Sequence, residues 1–79
     1  MSKEELERLN ISELAVMCSN AAESLDGTAA EKGRNLKSEW VQLVARETPH
    51  AADFKEHEQI QAAKAELKKR MVEYLFVAA

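Results

Sequence analysis

The sequence predicts an all-α fold: a small antiparallel bundle of three principal helices with a short extra helix at its N-terminal end. Three observations lead there. Hydrophobic residues make up 46% of the chain but aromatics only 5%, so the core must be built from Leu, Val, Ile, Met and Ala, which suits helix packing better than pleated sheets. Two Gly and one Pro are too few turn formers for a string of hairpins. Finally, Ser2, Asn10, Thr28 and Asp53 each stand three positions before a glutamate, namely Glu5, Glu13, Glu31 and Glu56. At that spacing a capping side chain and a carboxylate satisfy each other's free backbone N–H at a helix start.

Ser2 opens the first helix, over about 3–9. Asn10 then bends the chain into a second helix over about 11–26, with Leu9 and Leu14 placed on either side of the cap as a hydrophobic staple. Gly27 is the expected left-handed residue closing that helix, and Thr28 starts the next one at once, which favours antiparallel neighbours. This third helix runs over about 28–47, with Leu36, Trp40, Leu43, Val44 and Glu47 on one stripe. Gly33 lies on the same stripe as Ala29, Leu36 and Trp40. Its missing side chain either admits a neighbouring helix, at about 1 kcal/mol relative to Ala, or marks a site of fraying.

Pro49 either ends the third helix or opens the next one behind Thr48. The last helix starts at about residue 51 or 53 and ends at about 77, on a stripe of Phe54, Ile60, Ala63, Leu67, Met71, Tyr74 and Ala78 that Leu75 widens. At ~1.5 Å per residue it spans about 37 Å, against about 24 Å for the helix over 11–26. The surplus needs covering by the short helix, by a second copy of the chain or by another partner.

Residues 1–79 are expected to form one domain, and a chain this short buries only about 60–65% of the surface its unfolded form exposes. Cys18 stands alone, so no intramolecular disulfide forms and a reducing, intracellular setting is expected. The start, Met1-Ser2-Lys3-Glu4-Glu5, lacks the ~7–15-residue apolar region of a secretory signal. No apolar run approaches the ~18 residues of a membrane span. The expected location is cytoplasmic, away from membranes. The net charge of -3 is unevenly placed, since residues 1–27 carry Lys3 and Arg8 against Glu4, Glu5, Glu7, Glu13, Glu23 and Asp26. That asymmetry suits an acidic docking face, or simply helix starts whose dipoles the acids complement.

Catalytic constellations are weak. His57-Glu58-Gln59-Ile60-Gln61 approaches a zinc-protease helix, but Gln61 stands where the second His ligand is needed, and His50 lies seven positions upstream of His57 across a helix start. His57 is therefore expected at the boundary of the packed face. Cys18, within Leu14–Ala22, sits on an apolar helix side, where a thiol behaves as a small hydrophobe rather than a nucleophile. Trp40, flanked by Leu36, Leu43 and Val44, is expected in the core. Glu66 with Lys69 and Arg70 shows how the carboxylates alternate with cations along helix surfaces. No catalytic, metal or cofactor residue is assigned, and no cofactor or enzymatic activity is expected.

Two binding features remain. Lys64, Lys68, Lys69 and Arg70 form the one dense basic cluster. Four cations on an acidic protein neutralise few phosphates, so weak, salt-sensitive nucleic-acid contact is the most they predict. The end of the chain, Phe76, Val77, Ala78 and Ala79, lacks charged side chains. It is expected to pack as a last helical turn, to dock a partner, or to serve as a turnover signal, since it resembles the apolar Ala-Ala endings that bacterial ATP-driven unfoldases recognise. The resulting expectation is a non-enzymatic cytoplasmic helical protein that binds a protein partner and associates with itself as a homodimer. The alternatives are a nucleic-acid-associated regulator using the basic cluster, and an acidic decoy that mimics nucleic acid.

Overall fold

The caps set the element boundaries. In the structure, a computed structural model that describes residues 1–49 and 53–78, four helices follow one another: α1 (Lys3–Arg8), α2 (Ile11–Glu23), α3 (Gly27–Glu47) and α4 (Phe54–Ala78). No strand occurs among the described residues. The Glu5 N–H donates to Ser2 Oγ at 3.2 Å, and the Ser2 N–H donates back to the Glu5 carboxylate at 3.3 Å. This is the reciprocal cap that the sequence predicts. Leu9 and Asn10 are both extended, which makes the bend between α1 and α2. The Glu13 N–H donates to Asn10 Oδ1 at 2.9 Å, while the Glu13 carboxylate accepts from the Asn10 side-chain amide at 2.8 Å rather than from its backbone. Leu14 is fully buried and Leu9 packs against the same cluster, as a staple requires.

The α2–α3 junction differs from expectation. α2 stops at Glu23, three residues early, because the N–H groups of Ser24 and Leu25 fold back to the carbonyls of Ala21 and Ala22 and tighten the last turn. Gly27 does take a left-handed conformation, φ +64°, but as the first residue of α3 rather than as the residue closing α2. With the helix starting there, Asp26 occupies the cap position without a side-chain hydrogen bond. Thr28 falls inside the first turn, so the Thr28–Glu31 cap does not form.

At the other end of α3, Thr48 Oγ1 donates to the Val44 carbonyl at 3.1 Å and Pro49 lies in the turn that follows. Pro49 thus ends α3. Asp53 caps α4 by accepting from the Glu56 N–H at 3.1 Å; the expected start at residue 51 lies outside the described residues. Phe54, expected on the packed stripe, is 78% exposed. Six residues at ~100° each put it about 120° around the helix from Ile60, so it points away from α3. His57, in the same first turn, is exposed rather than at a packed boundary.

α2, α3 and α4 pack mutually and α1 lies along α4. Their core joins Leu6 of α1, Leu14, Ala15 and Cys18 of α2, Leu36 of α3 and the Leu67, Met71, Val72, Tyr74 and Leu75 face of α4. Trp40 is half-buried against it. Gly33 is where three helices meet. A Cβ there would lie 2.5 Å from the Tyr74 hydroxyl, 2.8 Å from the Cys18 carbonyl oxygen and 2.9 Å from Ala22 Cβ, so only glycine admits this approach. Tyr74 spends its hydroxyl on the Ala29 carbonyl, donating at 2.7 Å. The molecule measures 39 × 25 × 15 Å with a radius of gyration of 13.1 Å, longer than the about 11.6 Å of a rounded domain of this size.

Candidate functional site

The residues that invited a catalytic reading are dispersed. His57 and Gln61 are both exposed on α4, and His50 lies outside the described residues. Cys18 is fully buried, and burial pushes its thiol up to about 11. At neutral pH it stays protonated and inert as a nucleophile. Among the described residues no group of His, Cys, Asp and Glu could hold a metal ion.

The basic cluster is split between two flanks of α4. Lys64 pairs with Glu47 and Arg70 with Glu39, both on α3. Lys68 and Lys69 turn toward α1, where they line a cleft with Lys3, Glu7 and Glu73 over an Ala65 and Val72 floor. There Lys3 donates to Glu73 Oε1 at 2.8 Å. That bond and its charge raise the Lys3 pKa and lower that of Glu73. The acidic residues are likewise scattered: Glu4 and Glu5 lie in the first turn of α1 and Glu13 in that of α2, where they complement the helix dipoles.

Two apolar surfaces stand out instead. The first is a groove between α2 and α3, lined by Ser19, Arg34, Lys37, Ser38 and Val41, with Val16 and Val44 exposed one turn further along. The sequence holds a signal for it: Arg34, Lys37, Val41, Val44 and Thr48 recur at i, i+3, i+7, i+10 and i+14, a second stripe on α3, and Val44, expected on the packed stripe, is 39% exposed. The second surface lies at the end of α4. Phe76 and Val77 are helical yet 51% and 81% exposed, while Ala78 is half-buried. Val77 and Ala78 line a cleft of about 550 Å³ with Leu25, Ala29 and Tyr74, between Lys32 on α3 and Glu73 on α4. Ala79 lies outside the described residues.

No described helix is long and apolar enough to cross a membrane. Comparison with known protein families, with curated proteins and with solved structures gave no significant match.

Proposed function

We propose that this protein is a non-enzymatic, cytoplasmic binding protein that acts by offering a helical face to a protein partner. The observation that carries the reading is the α2–α3 groove, where Val41 is exposed beside Arg34 and Lys37, with Val16 of α2 and Val44 of α3 exposed one turn away. Valines left exposed along one groove of a small protein suit an interaction surface. Both charged side chains of the groove are cations, and neither forms an ion pair among the described residues. The partner that complements them is an amphipathic helix with acidic residues flanking an apolar stripe. Ser19 and Ser38 are small enough to let its axis come close.

The test is site-specific photo-crosslinking from position 41 in extract of the producing cells, with the captured peptide sequenced by mass spectrometry. An acidic, apolar helical peptide whose capture is lost in Arg34→Glu/Lys37→Glu supports the reading. Capture that survives this charge reversal, or no adduct, overturns it. Nucleic-acid binding through Lys64, Lys68, Lys69 and Arg70 draws less support, because Glu47 and Glu39 already neutralise two of the four cations, leaving few to compensate phosphates. The decoy reading draws less still, with a net charge of only -3.

A further inference from the structure

The surface at the end of α4 differs from the groove in its charge pattern. Leu25 of the α2–α3 turn, Ala29 of α3 and Val77 of α4 bound the cleft, and Val77 is 81% exposed. Its rim carries one cation, Lys32, on the α3 wall and one anion, Glu73, on the α4 wall. We infer that two copies of this chain meet here about a two-fold axis. In such a contact the same patch faces itself, so its charges must complement their own rotated image. A rim with a base on one wall and an acid on the other does so: Lys32 of each copy meets Glu73 of the other. The α2–α3 groove, lined by Arg34 and Lys37, would set like charges against each other in the same arrangement, which is costly.

Glu73 can serve both contacts. Lys3 takes its Oε1, and a carboxylate has a second oxygen for another cation. Val77, 81% exposed at the cleft, supplies the apolar contact that the second copy covers. The same pairing gives the apolar ending of α4 a structural use.

Sedimentation equilibrium of the full chain tests the inference. The expected result is a dimer, twice 8.9 kDa, dissociating on dilution, and Val77→Asp, on an exposed side chain, should yield a folded monomer. Lys32→Glu and Glu73→Lys should each weaken association at least about tenfold. A one-to-one mixture of those two variants should restore it, because each mixed pair regains opposite charges at both rims. A monomer up to about 100 μM, a dimer indifferent to Val77→Asp, or a mixture that fails to re-associate overturns the inference. So does a dimer abolished by Val41→Asp instead, which would place the second copy in the α2–α3 groove.

Discussion

Between the α2–α3 turn and Pro49, α3 and α4 stay paired, but what joins them changes. At the first end Gly33 brings the α2 backbone and the Tyr74 hydroxyl against α3, and Leu67, Met71, Val72 and Leu75 are buried among three other helices. Toward Pro49, Ile60 is the one buried side chain among residues 40–49 and 53–66. There the helices are tied by Arg46 to Glu56 and by Lys64 to Glu47, while Val44 and Phe54 stay exposed. Interdigitated apolar side chains contribute a few kcal/mol each, whereas surface ion pairs contribute about 0–1 kcal/mol. One pair of helices therefore has a rigid end and a loose end, and the loose end adjoins the valine strip on which partner binding is proposed.

The contrast can be broken or sharpened by substitution. Met71→Ala, at a fully buried site, should cost about 3–4 kcal/mol and lower the melting temperature by at least about 12 °C; a drop under 5 °C would mean the core at that end is not closely packed. Gly33→Ala comes next. The Cys18 carbonyl is backbone and cannot step aside from the new methyl at 2.8 Å, so a net loss of about 2 kcal/mol is expected despite the better helix propensity of Ala. Adding Tyr74→Phe removes the contact at 2.5 Å. The double variant should consequently lose less than the two single changes summed.

The third prediction concerns pH. Burial holds the Cys18 thiol at about 11 against an ordinary 9.0, so the unfolded chain ionises first and stability falls as pH rises from 9 toward 11. By pH 10.5 the loss attributable to this thiol should reach about 2 kcal/mol. Denaturant midpoints of the wild type and Cys18→Ala at pH 7 and pH 10.5 measure it, and equal alkaline losses in the two would refute the assignment. At the loose end, Arg46→Ala should cost under about 1 kcal/mol, with the difference vanishing in 1 M salt. The smallest effect is expected for Pro49→Ala, within about 0.5 kcal/mol, because Pro49 lies in the turn after α3. A rise in melting temperature above about 10 °C would instead mean that a straightened α3–α4 rod is the preferred state.

Three of the four cap signals were legible in the sequence, because both partners lie within a few residues. Ser2 with Glu5, Asn10 with Glu13 and Asp53 with Glu56 need only one helical turn to meet, and all three form caps. Gly33 was readable only as a close approach or a site of fraying, and the contacts from Tyr74, Cys18 and Ala22 that decide between them come from distant parts of the chain. Thr28 misled because the left-handed turn at Gly27 starts α3 earlier than the motif implies. Lys64 and Arg70 looked like a free basic cluster, since the acids that meet them, Glu47 and Glu39, lie 17 and 31 residues away. Val44 was read onto the core stripe but is exposed, and Val16 and Val41 were not singled out, for a related reason. Periodicity marks an apolar stripe but does not say which helix covers it, and α1, the element free to cover it, lies along α4 instead.

Tyr74 and Trp40 are the one tyrosine and the one tryptophan of the chain. Tyr74 sits at the rigid end with its hydroxyl on the Ala29 carbonyl, and Trp40 is half-buried further along α3 toward the loose end. The protein thus carries a matched donor and acceptor for fluorescence energy transfer without any label. Strain, heat or a bound partner that opens the loose end first will redden the tryptophan emission while tyrosine absorption holds steady, so the order in which the bundle comes apart can be read from the unmodified chain.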